Sequence, residues 1–177
     1  MKKLLLIIAA AVWPVCTTSA QTPINTPVRP EYKLALGVLG TYQAVGAQAE
    51  WRVGRPWALK AVGARSFDYE RRAEHGGAGI GLLTYYLPTH HTYLEPLVGV
   101  GGVYSWYHWD LNNTRGTLHD WNVGGAFGTN LRFSNRFRSG LNVFLANGFR
   151  AEYAGREMQV VGRRLLALPT LTVEVLL

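Results

Sequence analysis

The feature that most constrains this chain is the alternation of side-chain character between Trp121 and Phe133. Alternation with a period of two is typical of a β-strand whose two faces meet different environments. A second segment, Tyr93–Tyr107, alternates in the same way and can fold back against the first. In the first segment, one face comprises Trp121, Val123, Phe127, Leu131 and Phe133, and the other comprises Asn122, Gly124, Ala126, Gly128, Asn130 and Arg132.

The first twenty residues have the pattern of a secretory signal peptide. Two lysines precede an apolar run from Leu4 to Val12, and small residues stand three positions and one position before Gln21. The apolar run is too short for a transmembrane helix. We therefore expect a signal peptide at residues 1–20, a flexible proline-rich leader at residues 21–31 and one domain at residues 32–177.

Cysteine content and charge exclude several classes of protein. The single cysteine, Cys16, lies inside the predicted signal peptide, so the exported chain would contain no disulfide. Charged residues make up only 16% of the chain, whereas a soluble domain has roughly a quarter. The net charge of +7 stays positive without the signal peptide. An exported basic chain is expected to meet anionic lipid or lipopolysaccharide rather than nucleic acid.

Eight segments have the alternation of strands, and the links between them differ in length. Turn-forming residues fill the short links 54–56, 88–92 and 134–136, whereas the links 70–76, 110–118 and 150–164 are longer. Only the first link, 40–43, breaks this pattern. Short turns on one side and long loops on the other are characteristic of outer-membrane β-barrels. The predicted strands are Tyr32–Leu39, Ala44–Val53, Trp57–Tyr69, Gly77–Leu87, Tyr93–Trp109, His119–Phe133, Phe137–Phe149 and Leu165–Leu177.

We interpret the apolar faces of these strands as facing lipid. The opposite faces are rich in glycine and carry scattered ions of both signs, which suits the filling of a narrow bore. An eight-stranded barrel has room inside for side chains and little else. Because unpaired charges in such a bore would cost on the order of several kcal/mol each, we expect them to pair. The predicted interior ion network is Lys33, Glu50, Arg52, Lys60, Glu95, Arg132, Arg138 and Glu174.

Aromatic residues cluster at two levels of the predicted barrel. Amphipathic rings favour the headgroup level of a bilayer, so two clusters predict two girdles. The girdle beside the tight turns comprises Trp57, Tyr86, Tyr93, Phe133 and Phe137. The girdle beside the long loops comprises Tyr69, Trp106, Tyr107, Trp109, Trp121 and Phe149.

The segments Pro96–Tyr104, Trp121–Phe133 and Leu171–Leu177 resemble the small eight-stranded bacterial outer-membrane barrels of the OmpA/OmpX kind. The resemblance covers the chain from Tyr32 onward. It implies an all-β, closed, antiparallel up-and-down transmembrane barrel, monomeric and inserted into the bacterial outer membrane by the barrel-assembly machinery. Members of these families usually end on an aromatic residue that this machinery recognises. This chain departs from that pattern by ending on Leu177.

The primary functional hypothesis is a non-enzymatic structural or surface-interaction role for the outer loops. Arginines in or beside the last long loop are the candidate contacts for lipopolysaccharide, because guanidinium groups match phosphate geometry. The alternative is that Glu152 and Glu157 hold these arginines in a solvated loop. The candidate arginines are Arg150, Arg156, Arg163 and Arg164.

Two other functions remain open, and neither a cofactor nor a metal is predicted. The second hypothesis is an outer-membrane lipid hydrolase, which needs a serine beside a histidine at the rim. Ser105 and His108 have opposite parity, so their side chains should lie on opposite faces of the strand. The third hypothesis is a soluble periplasmic ligand-binding barrel. It requires Trp51, Val100, Phe127 and Val173 to point inward.

Overall fold

The computed structural model describes residues 32–66, 75–91, 93–111, 113–154 and 157–177. The predicted signal peptide and leader lie outside these residues. Eight strands run through the described ranges, and no helix in them is long and apolar enough to cross a membrane. The strands are β1 (Leu34–Gly40), β2 (Ala44–Arg52), β3 (Trp57–Ser66), β4 (His75–Tyr86), β5 (Leu94–Leu111), β6 (Thr114–Arg132), β7 (Phe137–Ala154) and β8 (Glu157–Leu176).

The strands form one closed barrel. Each strand pairs antiparallel with the next along the chain, and β1 pairs with β8 from Ala35 opposite Leu176 to Gly40 opposite Leu171. Closure leaves no sheet edge within the paired region, so the backbone needs no water to satisfy its hydrogen bonds there. The prediction of a closed, antiparallel, eight-stranded up-and-down barrel is confirmed.

The last two hairpins extend far beyond the rest of the barrel. Strands β5, β6, β7 and β8 contain 18, 19, 18 and 20 residues, whereas crossing a bilayer takes about 9–11 residues. The prediction of long loops at residues 110–118 and 150–164 is therefore wrong, because both segments are largely paired strand. Above the bilayer the outer face of a strand meets water instead of lipid. The apolar alternation is then lost while the backbone stays paired.

The apolar faces of the strands point out of the barrel. Trp51, Val100 and Val173 have exposed fractions of 57%, 59% and 53%. Phe127 pairs with exposed Val98 and shares its face. A soluble barrel with a ligand cavity would enclose these four side chains, so the structure contradicts the periplasmic ligand-binding hypothesis.

The interior is filled in layers. At the end of the barrel with short turns, here called the turn end, the bore holds charged and tyrosine side chains. Above them lies an apolar layer that the sequence analysis did not predict: Leu39, Val62, Leu82, Ala126 and Phe144. At Gly101 of β5, an added Cβ would lie 2.9 Å from the Cα of Leu82 on β4. The glycines therefore let neighbouring backbones and side chains pack closely inside a narrow bore.

Two of the predicted girdle residues also belong to the interior. Tyr86 and Trp109 are only 7% and 5% exposed, so their assignment to the aromatic girdles is wrong. Both follow the inward parity of their strands, which proximity to a turn or loop does not reveal. Tyr69 lies outside the described residues. The predicted girdle residues that the structure shows as exposed are Trp57, Tyr93, Trp121, Phe133 and Phe137.

Candidate functional site

Arg138 is the hub of the interior network. Its side chain is fully buried and reaches three carboxylates on three different strands: Glu50 at 3.0 Å, Glu95 at 3.0 Å and Glu174 at 2.5 Å. Its Nη1 also donates to the hydroxyl of Tyr86 at 3.2 Å. A single guanidinium thus ties β2, β5 and β8 to β7. Its planar fork of donors makes this possible, and a lysine could not replace it.

Glu50 collects most of the remaining interactions. Tyr32 and Tyr86 donate hydroxyl hydrogen bonds to its two oxygens at 2.9 and 2.6 Å. Lys60 lies 3.3 Å from Oε2, and Arg52 lies 3.5 Å from Oε1. The carboxylate is therefore fully paired although it is 0% exposed, as a charge in a low-dielectric bore requires.

The network closes through two further arginines. Arg132 binds Glu95 at 2.9 Å. The guanidinium of Arg52 stacks over the ring of Tyr86 at 3.6 Å and donates to the hydroxyl of Tyr32, a cation–π arrangement that desolvation strengthens. The structure thus brings together seven of the eight predicted network residues. Lys33 is exposed and precedes β1, so its placement in the bore is corrected.

The two extended hairpins pack on each other through their inner faces. The rings of Trp109 on β5 and Tyr153 on β7 meet edge to face at 5.9 Å. The Tyr153 hydroxyl lies 2.8 Å from the hydroxyl of Thr114 on β6. Gly116 lies directly against the indole, because an added Cβ would come within 2.7 Å of Trp109. Aromatic packing and a hydrogen bond therefore join the hairpins above the apolar layer.

The arginines predicted to contact lipopolysaccharide differ in the side chains to which they are already bound. Arg163 binds both carboxylate oxygens of Asp120 at 2.9 and 3.1 Å and also donates to Asn122. Arg150 forms an exposed ion pair with Glu152 at 2.8 Å. Arg164 is exposed beside them, opposite Gly148, and Arg156 lies outside the described residues. Arg150 and Arg164 are thus exposed to solvent at the hairpin end, whereas Arg163 joins β8 to β6.

The histidines at the hairpin end bind partners other than serine. His108 Nδ1 lies 3.1 Å from the hydroxyl of Thr117, and His119 Nδ1 lies 2.5 Å from the hydroxyl of Tyr104. Ser105 shares the inward face with buried Val103, so it points away from His108. The geometry that the hydrolase hypothesis requires is not formed by these residues. Among the described residues, no three His, Cys, Asp or Glu side chains converge on a possible metal position.

Sequence reasoning missed three parts of this arrangement. Tyr32 precedes the first strand, yet its hydroxyl binds Glu50 inside the bore. Tyr86 does the same from the last position of β4. The contact between Trp109 and Tyr153 joins residues 44 positions apart on β5 and β7, which are not adjacent strands of the barrel. The parity of Tyr86 and Trp109 within their strands was the available signal for both inward side chains.

No family model and no curated relative matches the sequence. Among solved structures, the N-terminal β-barrel domain of Pseudomonas aeruginosa OprF is similar, with a TM-score of 0.64 and 13% identity over 81% of this chain and 96% of that one. Neisserial surface protein A is similar with a TM-score of 0.59 and 11% identity, over 80% of this chain and 92% of that one. The attachment invasion locus protein Ail of Yersinia pestis is similar with a TM-score of 0.54 and 6% identity, over 84% of this chain and 98% of that one.

At these identities the likeness concerns the fold. Two physical features point separately to a membrane. A large exposed apolar surface marks contact with hydrocarbon or with another protein, and a closed barrel satisfies its backbone hydrogen bonds internally, as hydrocarbon requires. The interior of the barrel is filled with side chains, many of them charged, and therefore leaves no ligand cavity of the kind that a soluble binding barrel has. The chain therefore has the OmpA/OmpX-like outer-membrane β-barrel fold and is a membrane-spanning protein of eight strands.

Proposed function

We propose that this chain is a non-enzymatic protein of the bacterial outer membrane that contacts lipopolysaccharide and external partners through its two extended hairpins. The observation that carries the proposal is the joining of these hairpins by Trp109, Tyr153 and Thr114. Packed strands hold their side chains in fixed positions, as a binding surface requires, whereas mobile loops would pay an ordering cost on binding.

A channel role is not favoured by the interior. The network around Arg138 fills the turn end, and Phe144 with its apolar neighbours fills the layer above it. An eight-stranded barrel has no further width for an aqueous path. The surface, rather than the bore, is therefore the part available for interaction.

Arg150 and Arg164 are the proposed contacts to lipopolysaccharide phosphates. Both are exposed on the same hairpin, and the hairpin end lies at the anionic outer leaflet if the short turns face the periplasm. Arg163 contributes indirectly, because its bond to Asp120 fixes β8 against β6.

The test is the affinity of the detergent-folded barrel for lipopolysaccharide and for the same lipid after removal of its phosphates. We expect Arg150→Gln and Arg164→Gln each to weaken binding of the intact lipid about two- to fivefold, as for an exposed ion pair. Neither change should affect binding of the dephosphorylated lipid. Arg136→Gln is the matched control, because Arg136 is exposed at the turn end. Equal affinity of the wild-type protein and all three variants for the intact lipid would contradict the proposal.

Assembly by the barrel-assembly machinery and a monomeric state are parts of the same proposal. The alternation of β8 continues through buried Leu176 and exposed Leu177. Leu177→Phe places an aromatic side chain at this outward position and should speed insertion by the purified machinery. Light scattering of the folded protein in detergent is expected to give a monomer mass.

A further inference from the structure

Two histidines stand directly opposite each other on neighbouring strands at the hairpin end. His75 is the first residue of β4 and pairs with His108 on β5. Both side chains lie on the outer face, because the residues that follow them, Gly76 and Trp109, are buried. The centroids of the two imidazole rings are 4.8 Å apart, and the ring planes are inclined by 40°. The proposed lipopolysaccharide contacts are on other strands, β7 and β8.

The spacing of the two rings matches that of two ligands on one metal ion. A transition metal lies about 2.0–2.1 Å from an imidazole nitrogen and therefore about 3.2 Å from the centroid of that ring. Centroids that are 4.8 Å apart then correspond to an angle of about 95–100° between the two metal–nitrogen bonds. Such an angle is typical of neighbouring ligands in tetragonal geometry. Because strand pairing fixes the two positions opposite each other, little conformational freedom is lost when the second ring binds.

A threonine on the next strand orients one of the rings. Nδ1 of His108 lies 3.1 Å from the hydroxyl of Thr117 on β6, which stands opposite His108 in the register. When this hydroxyl accepts a hydrogen bond from Nδ1–H, the lone pair of the ring is on Nε2, the nitrogen that can bind a metal. The third histidine at this end, His119, instead contacts the hydroxyl of Tyr104 through its Nδ1 at 2.5 Å. His119 is therefore not a member of the pair.

We propose that His75 and His108 form a surface site for a divalent transition metal ion, bound through one nitrogen of each ring and completed by water. Imidazole ligands suit Cu²⁺, Ni²⁺ and Zn²⁺, and the Irving–Williams order places Cu²⁺ highest among them. Mg²⁺ and Ca²⁺ prefer oxygen ligands and are excluded. Two protein ligands make the site exchangeable, since structural zinc sites have four. The bound ion joins the first residue of β4 to β5, beyond the last pairing of β4 with β3.

The test is a titration of the detergent-folded barrel, prepared without a histidine tag, with copper(II) chloride. Calorimetry gives the affinity, and electron paramagnetic resonance counts the coordinated nitrogens. We expect one site per chain with two nitrogen ligands, from which an excess of Mg²⁺ does not displace Cu²⁺. His75→Ala and His108→Ala should each weaken Cu²⁺ binding about tenfold or more, because either change leaves a single ligand in place of a chelating pair. His119→Ala is the matched control and should leave the affinity unchanged.

Thr117→Val tests the positioning role of the hydroxyl. It should weaken Cu²⁺ binding about tenfold while the resonance spectrum still shows two coordinated nitrogens, and an unchanged affinity would refute that role. Coordination by a single nitrogen in the wild-type barrel would overturn the proposal. The same holds for an unchanged affinity in His75→Ala or His108→Ala, or for an equal loss in His119→Ala.

Discussion

Substitution of Arg138 by methionine tests the interior network most severely. The change removes the guanidinium from three carboxylates, but the carboxylates are affected unequally. Glu95 keeps Arg132 at 2.9 Å, and Glu50 keeps Lys60 at 3.3 Å. Glu174 has no other cationic partner among the described residues and is fully buried. Stranding one partner of a buried pair costs about 3–5 kcal/mol, so we expect a loss of that size in the free energy of unfolding.

The assay is urea unfolding of the barrel in lipid vesicles, followed by tryptophan fluorescence, with heat-modifiable gel migration to verify folding. Arg163→Met is the control, because the Arg163 side chain is 46% exposed in its pair with Asp120 and should cost about 1 kcal/mol or less. Adding Glu174→Met to Arg138→Met removes the stranded carboxylate and should restore most of the lost stability. The reasoning is refuted if Arg138→Met costs no more than Arg163→Met, or if the second substitution restores nothing.

Three further predictions concern other parts of the barrel. Gly101→Ala should cost about 1–3 kcal/mol in urea unfolding by overpacking against β4, whereas Gly102→Ala, where a Cβ meets nothing within 4 Å, should be nearly neutral; equal effects would contradict the packing. Val100→Arg places a charge on the exposed wall at mid-strand and should cost about 2–4 kcal/mol in vesicles; an unchanged midpoint would argue against lipid contact. Trp109→Ala should make the outer hairpins several-fold more sensitive to protease at an almost unchanged unfolding midpoint of the barrel, and unaltered cleavage would show that this contact does not order them.

The part of the fold that crosses the bilayer was predictable from the sequence because two solvents imposed two side-chain patterns. Trp121, Val123 and Leu131 alternate with inward residues, and the structure places all three on the outer wall. The same rule fails where the chain leaves the bilayer. Between Asp110 and Leu118 the outer face meets water instead of lipid, the apolar alternation disappears, and a paired strand has the sequence of a loop.

Seven charged members of the interior network could be predicted from the sequence, but not their pairing, and Lys33 was included wrongly. Parity and charge pointed to Glu50, Glu95, Arg138 and Glu174, because ions on an inward face have to pair. The choice of Arg138 as hub depends on strand tilt and register, which bring positions from four strands to one level. The apolar layer was not predicted, because Phe144 and Leu82 are apolar residues on inward faces that were expected to carry only small, polar and charged side chains.

The central claim is that the apolar faces meet hydrocarbon and the charged faces fill the bore. Quenching of tryptophan fluorescence by lipids brominated along their acyl chains tests it most directly, using variants that contain a single tryptophan. Trp51, which is 57% exposed on the outer wall, should be strongly quenched, whereas the tryptophan of Phe144→Trp, at a position only 6% exposed inside the bore, should not. Strong quenching of the Phe144→Trp variant together with an unquenched Trp51 would contradict the account.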